Sequence, residues 1–295
     1  MTDKVSAIIV NFNAGCLLNI SVNSLLNCPD ISEIILVDNA SSDSSLDTVR
    51  ENPQLKIIEN SSNLGFASAC NIGLQHIQND YVLFFNPDCL LSPDALANML
   101  ACLKSDINIG MVGGFLIHPD GSEQAGGRRA VPTPWRSFVR AFGLYHFEHR
   151  WPKLFFDFYL HNQTIPTKPI EVEAISGACM LVKRKAIDHV GVWDQEYFLH
   201  CEDLDWCMRF RQNGWKICFV PNAKVIHEQG FCGKSRPIFV EFHKHKGMVR
   251  FYKKFFRHQY PGLLMGLVVF GVWFRFLLIA AYYFVQFKKP NLNHA

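Results

Sequence analysis

The chain has 295 residues, of which 49% are hydrophobic and 19% charged, with a formal net charge of +3. That is enough apolar material for a real core in one large or two modest domains, and it excludes a disordered polar chain. The basic residues crowd into positions 243–257, just before an apolar tail. This excludes a domain-wide nucleic-acid footprint, so no nucleic acid is expected as a partner, and it fits a membrane-surface patch. Ten cysteines occur without a Cys-x-x-Cys pair, and Cys201 and Cys207 lack the spacing of a zinc site. Cys70, Cys179 and Cys218 sit in apolar surroundings and read as reduced core thiols. With Met1-Thr2-Asp3-Lys4 leading into a strand and no signal peptide ahead of it, a reducing cytoplasmic setting is expected.

Taken in order, residues 5–10 form a continuous apolar run ending in Asn11-Phe12-Asn13, a buried strand that stops on polar residues. A helix is predicted over 17–26, broken by Cys28-Pro29-Asp30. A strand over 34–37 ends in Asp38-Asn39-Ala40-Ser41-Ser42-Asp43, followed by a helix to about residue 51 and a strand over 55–58. Asn63-Leu64-Gly65 reads as a turn and 66–77 as a helix. Tyr81 to Phe85 is a strand rich in aromatic and branched residues, buried on both faces. It ends at Asn86-Pro87-Asp88, because proline cannot donate to a ladder. A helix over 93–103 and a strand over 110–116 follow. This alternation predicts a parallel sheet covered by helices on both faces.

Asn11, Asp38 and Asp88 stand at the C-terminal ends of strands, the rim where open α/β sheets bind ligands, so they are expected to converge. A carboxylate there can hold a divalent cation against a diphosphate, while an ordinary turn would use the same residues. No Gly-x-Gly-x-x-Gly or P-loop follows the first strand, which disfavours dinucleotide dehydrogenases and P-loop kinases. Beyond the turn at Pro119-Asp120-Gly121 the alternation fails, and 130–169 reads as a partly ordered excursion over the rim. Arg128 and Arg129 are either surface arginines or contacts for a phosphate-bearing acceptor. Structure resumes at 172–181, where Ser176-Gly177-Ala178 is small enough for a ligand to approach the backbone.

Glu202-Asp203-Leu204-Asp205-Trp206 opens a helix that stops at Asn213-Gly214. Acids in a first turn complement the helix dipole, but the spacing puts Glu202 and Asp205 on one face and sends Asp203 elsewhere, as a base requires. His227 follows a strand and becomes a metal ligand only if the fold brings it to Asp88.

In sequence order, Ile9-Val10-Asn11-Phe12-Asn13, Val37-Asp38-Asn39-Ala40-Ser41-Ser42-Asp43, Asn63-Leu64-Gly65-Phe66-Ala67, Asn86-Pro87-Asp88, Asp120-Gly121-Ser122, Ser176-Gly177-Ala178, Glu202-Asp203-Leu204-Asp205 and His227 span more than two hundred residues. In this order and spacing the chain resembles an inverting family 2 glycosyltransferase of the GT-A fold, in its bacterial rhamnosyltransferase-like branch. The resemblance implies an α/β, Rossmann-like, mostly parallel sheet flanked by helices. It implies a domain over 1–255, with a nucleotide-sugar half at 1–116 and an acceptor and catalytic-base half at 117–255. It further implies that Asp38 recognises the nucleobase and that 63–71 lines the nucleotide pocket. Asn11, Asn13, Asn39, Ser41, Asn63, Gly65, Phe66, Asn71 and Asn86 would surround the donor. Asp88 matches the second acid of the family's Asp-x-Asp motif, with Asn86 in place of the first. Asp203, beside Glu202, matches the catalytic base, and His227 a metal or diphosphate contact. Arg128, Arg129, Gly177 and Trp206 fall on the acceptor side. Val192-Trp193-Asp194 replaces the branch's usual Gly-Phe-Asp.

The implied reaction is metal-assisted single displacement with Mg2+ or Mn2+, from dTDP-rhamnose or a UDP-sugar to a lipid-linked saccharide of a surface polysaccharide. The alternatives are a catalytically silent nucleotide-sugar-binding protein on the same fold, or a sugar-nucleotide pyrophosphorylase. The latter needs an N-terminal glycine-rich basic loop that residues 11–15 do not offer. The tail, 256–295, is basic and then apolar over 262–287, long enough to cross a bilayer but interrupted by Arg275. Lys253, Lys254 and Arg257 precede it and Lys288 and Lys289 follow, so a span, a shallow hairpin and an in-plane helix all fit. A buried helix of a soluble oligomer is the alternative. Membrane association would put the enzyme, peripheral or anchored by one segment, on the cytoplasmic face of a bacterial inner membrane.

Overall fold

A computed structural model of the protein describes residues 4–228 and 236–288; residues 1–3 and Lys289, named above, lie outside these. In chain order the elements are β1 (Val5–Asn11), α1 (Leu17–Leu26), β2 (Ile31–Asp38), β3 (Leu55–Glu59), α2 (Phe66–Leu74), β4 (Tyr81–Phe85) and β5 (Cys89–Leu91). Then come α3 (Ala95–Ser105), β6 (Ile109–Ile117), β7 (Arg128–Arg129), α4 (Pro134–Ala141), β8 (Ile170–Glu171) and β9 (Ala174–Ile175). The remainder is β10 (Cys179–Lys183), α5 (Arg184–Val190), α6 (Glu202–Gln212), β11 (Lys216–His227), α7 (Pro237–Phe255) and α8 (Leu263–Lys288).

One sheet runs in the order β3-β2-β1-β4-β10-β6-β11-β5, with β8 paired to β11. The alternation in β1 and β4 divides the core. Ile9, Leu36 and Phe85 face α1 and α3, while Ile8, Val10 and Phe84 face the side covered by α2, α6 and α7. Both faces of the central strands are therefore dry, which is why their sequences read as unbroken apolar runs.

The sheet is mixed rather than parallel. β1 pairs parallel with β2 and β4, and β6 with β11, but β10 runs antiparallel between β4 and β6. After β6 reaches the rim the chain wanders across it, so β10 enters the sheet from that rim and must run the other way. A short β5 also pairs antiparallel with β11 and was not expected. No helix follows β2: the Asp43 carboxylate takes the Ser45 amide at 3.1 Å and the Ser45 hydroxyl at 2.6 Å. These local bonds leave a single 3-10 turn, Leu46–Thr48. The excursion after residue 130 holds a real helix, α4, whose N-cap Thr133 accepts the Arg136 amide at 3.1 Å with Pro134 in the first turn.

Trp206 is a core residue, contrary to its expected place on the acceptor side. It is 0% exposed, lies 4.1 Å from Trp193 between ring centroids, and meets the edge of Phe84 at 5.3 Å. Its Nε1 donates to the Gly191 carbonyl at 2.9 Å, so its polar atom is satisfied inside. Trp206→Ala is expected to lower stability by about 3–5 kcal/mol, read as a lower denaturant midpoint. A midpoint within experimental error of wild type would return Trp206 to the cleft.

Candidate active site

The rim begins at paired positions of β1 and β2, where Asn11 stands beside Asp38. The Asn11 amide donates to Asp38 Oδ1 at 2.7 Å and to Ser45 Oγ at 2.9 Å. Ser41 closes the loop, its amide and hydroxyl donating to the two Asp38 oxygens at 2.9 and 2.7 Å. The Asn13 side-chain oxygen takes the Ser42 amide at 2.7 Å, and Asn13 and Ala40 hold left-handed backbone conformations. Asn39 donates to the Gly65 carbonyl at 3.2 Å, and Asn63 accepts the Gly65 amide at 2.9 Å. Gly65 has φ of +85°, and a Cβ there would sit 2.5 Å from the Phe198 carbonyl, so no other residue fits. The Phe66 amide donates to that same carbonyl at 2.9 Å.

These residues make one polar loop system at the end of the sheet. Asn71 does not join it. Its amide is buried and clamps Trp193, donating to the Trp193 carbonyl at 2.9 Å and accepting the Trp193 amide at 3.1 Å. It braces α2 against the 192–194 turn, where a nucleotide contact had been expected.

The centre of the rim is the turn after β4. The Asn86 amide donates to the Ala178 carbonyl at 2.9 Å. Asp88 is 8% exposed, and its Oδ1 has no hydrogen-bond partner. His227 Nε2 lies 3.3 Å from that oxygen, and Asn86 Nδ2 lies 3.5 Å from Nε2. The condition set for His227 is met: the fold brings it to Asp88.

Gln124 fixes the state of that histidine. Its Nε2 donates to the His227 carbonyl at 2.7 Å, which leaves its Oε1 to face His227 Nδ1 at 2.8 Å. An amide oxygen only accepts, so Nδ1 carries a proton, and Nε2 is the ring atom presented to Asp88. Asp88 Oδ1 is buried without a hydrogen-bond partner, and Nε2 has the Asn86 amide group at 3.5 Å. A cation would satisfy both Oδ1 and the neutral ring's Nε2, and an outer partner holding the imidazole is the usual support for a histidine ligand. Gln124 was not singled out from the sequence, since only its distance from His227 in the fold gives it meaning.

The Asp88, Cys89 and His227 ligand atoms all lie within 4.8 Å of one another. Cys89 fits a hard cation poorly. Burial, and then the Asp88 charge, push its thiol well above its usual range, and its Sγ donates to the Ala178 carbonyl at 3.6 Å. A protonated thiol does not ligate Mg2+ or Mn2+, so Asp88 and His227 are the protein groups suited to the metal.

Asp203 stands on the other side of the Gly177–Ala178 pair. Its Oδ2 accepts from the Gly177 amide at 3.3 Å and from the Arg129 guanidinium, and its Oδ1 accepts the Leu204 amide at 2.7 Å. Three of about four acceptor positions of the carboxylate are filled, which leaves one free. The turn before it is strained: His200 and Cys201 both have positive φ, at 67° and 73°. α7 supports this turn at close range, since a Cβ on Gly247 would lie 2.8 Å from the His200 carbonyl.

The other acids of α6 face inward. Asp205 is 0% exposed and paired with Arg209 at 2.7 Å and Lys254 at 2.6 Å, which ties α6 to α7. Glu202 is buried; burial and, after it, the Asp203 charge push its pKa up to about 8. It is therefore a protonated neighbour of Asp203 at neutral pH, where a second catalytic carboxylate had been expected. Arg129 reaches the site but Arg128 does not. Arg128 is 1% exposed, and its Nε and Nη2 are spent inside the protein on Glu123 at 2.7 Å and the Gln163 carbonyl at 2.8 Å.

The family model for Glycosyl transferase family 2 matches residues 6–191. That stretch includes Asp88 and Gly177 and ends before Asp203 and His227. The chain is 27% identical over 243 residues to the N-acetylglucosaminyl-diphospho-decaprenol L-rhamnosyltransferase of Mycobacterium tuberculosis, covering 78% of this chain and 77% of the relative. It is 24% identical over 298 residues to the dTDP-rhamnosyl transferase RfbF of Shigella flexneri, covering 95% and 90%. Among solved structures it is similar to the mannosyltransferase PcManGT of Pyrobaculum calidifontis in complex with GDP-Man and Mn2+. The TM-score is 0.57 at 18% identity, covering 86% of this chain and 64% of that one, a likeness of fold. The fold is of the GT-A type, with a Rossmann-like mixed sheet between helices.

The raised Glu202 makes stability fall with rising pH. The folded chain holds this proton up to about 8 while the unfolded chain releases it near 4.5, so folding is favoured below that window and loses the contribution across it. Thermal melts from pH 5 to 8 are expected to fall for wild type relative to Glu202→Gln. Parallel curves for the two proteins would show that Glu202 does not carry this proton.

Proposed function

The chain belongs to glycosyl transferase family 2, and on that premise we propose that it moves a sugar from a nucleotide-sugar donor to a hydroxyl of a lipid-linked saccharide. The observation that carries this reading is the pair of sites flanking Gly177–Ala178: a cation-seeking Asp88 and His227 on one side, and an anionic Asp203 on the other. Asp88 and His227 would hold Mg2+ or Mn2+, whose charge stabilises the diphosphate as it departs. Asp203 is the base. The acceptor oxygen bonds to the anomeric carbon as the carbon–oxygen bond to the diphosphate breaks, and the acceptor proton passes to the free Asp203 position. With the base on the side of the sugar opposite the leaving group, such a single displacement would invert the configuration.

The donor side is the Asn11, Asn13, Asp38, Asn39, Ser41, Asn63, Gly65, Phe66 and Asn86 loop system, with Asp38 for the nucleobase. Arg129 and Gly177 hold the base where the acceptor enters. We assign rhamnose, carried by dTDP, as the sugar. Two relatives named as rhamnosyltransferases support this, one of them named for a diphospho-decaprenol-linked N-acetylglucosamine.

Apolar surface supports a lipid-linked acceptor and a membrane setting. α4 exposes Trp135, Phe138 and Phe142 at helical spacing. α8 is apolar over Leu263–Gln286 and almost wholly unburied there. Anchoring there, on the cytoplasmic face of a bacterial inner membrane, would bring the cleft to its acceptor.

Asp203→Asn is expected to bind donor as wild type does while its turnover falls about 10²–10⁴-fold. Asp88→Ala is expected to weaken metal-dependent binding of a nucleoside diphosphate, read by titration calorimetry with and without Mn2+. Wild-type turnover in Asp203→Asn would remove the base from this scheme.

A further inference from the structure

We infer that α8 does not cross the bilayer but lies along its surface, docked on α7, with one stripe of side chains in lipid and both chain termini on the same side. The inference rests on the reading of α8 as the membrane anchor.

Contacts along the two helices run in opposite order. Near the start of α7, Phe242 meets Trp273 and Phe276 with ring centroids 5.7 and 5.9 Å apart. Near its end, Tyr252, Phe255 and Phe256 share a buried cluster with Met265 from the start of α8. α7 and α8 are therefore an antiparallel hairpin, and Met265 to Phe276 lies against the protein.

α7 cannot follow α8 into hydrocarbon. It carries Glu241, Lys244, Lys246, Arg250, Lys253 and Lys254, and Gly247 packs it against the His200 turn of the catalytic domain. The part of α8 beyond Phe276 runs to Lys288, twelve residues, or about 18 Å of helix. The hydrocarbon core is about 30 Å thick, so this free end does not reach across it.

The two faces of α8 divide accordingly. Leu263, Leu267, Phe270, Phe274, Leu278 and Tyr282 are exposed and recur at steps of three and four along the outer side, and beyond Phe276 the apolar Leu277, Phe284 and Val285 are exposed beside them. Met265, Val268, Val269 and Val272 pack on the opposite face. Arg275, the obstacle to a span, turns back toward the protein. Its guanidinium donates to His245 Nε2 at 3.0 Å, while His245 Nδ1 donates to the Glu241 carbonyl at 2.6 Å. At the corner of the hairpin, Lys253, Arg257 and His258 are exposed, where anionic head groups would meet them. α7 supplies a charged side and α8 an apolar one, so the hairpin as a unit suits the boundary between head groups and acyl chains, with further cations at its corner.

The test is to express the full chain with one epitope tag at each end, then to treat inverted vesicles and intact spheroplasts with protease. Sedimentation with membranes, loss of both tags in inverted vesicles and retention of both in spheroplasts is expected. Loss of the C-terminal tag alone from spheroplasts would overturn the in-plane placement and leave the anchor standing. If the chain stays in the supernatant, the anchor reading itself falls, and the in-plane placement with it. A Phe270→Glu, Phe274→Glu double variant is expected to shift several-fold from the membrane to the soluble fraction with an unchanged thermal melt. Undiminished sedimentation of that variant would show that the outer stripe does not face lipid.

Discussion

The Ala178 carbonyl accepts the Asn86 amide, while the Gly177 amide, one residue earlier, donates to Asp203. Through these two bonds a single dipeptide holds the Asn86–Asp88 turn and Asp203 at a fixed separation. The arrangement depends on β10 entering the sheet from the rim. Had the chain crossed over by a helix to make another parallel strand, its start would lie at the opposite edge, and Asp203 would have no fixed relation to Asp88. The antiparallel strand is therefore what makes one site of two distant stretches. Its neighbours support it: α7 presses Gly247 against the strained turn before Asp203, and Lys254 ties α6 to α7 through buried Asp205.

On the metal side, chemistry is set by an outer residue. Gln124 gives Nδ1 an acceptor and the His227 carbonyl a donor, which fixes the ring with Nε2 3.3 Å from Asp88 Oδ1. The two groups of the candidate metal pair are thereby oriented by the fold itself. Across the Gly177–Ala178 pair, Arg129 binds Asp203 and leaves one of its acceptor positions open. Because α7 supports the turn before Asp203 and also carries α8, the apolar helix and Asp203 are mechanically continuous.

Much of this was legible in the sequence, for identifiable reasons. Strands such as Tyr81–Phe85 are dry on both faces, so their composition announces them, and the polar residues at their ends mark the rim. Asn11, Asp38, Asn86 and Asp88 fall where that logic puts them. What failed depended on partners distant in the chain. Asn71 and Trp206 look like site residues by position, but both are spent on the 191–193 turn. Arg128 and Arg129 are neighbours in the sequence, and strand alternation sends one into a buried pair with Glu123 and the other to Asp203. The Thr133-Pro134 start of α4 was a readable cap inside an otherwise aperiodic stretch, whereas Gln124 carried no local signal at all.

The proposed metal site requires His227 to offer a ring nitrogen to a cation shared with Asp88. Electron spin-echo spectroscopy of Mn2+ bound to the protein with a nucleoside diphosphate reads that bond directly. The spectrum is expected to carry nitrogen modulation from a coordinated imidazole, abolished in His227→Gln. Bound Mn2+ without nitrogen modulation, or modulation that survives the substitution, would contradict it.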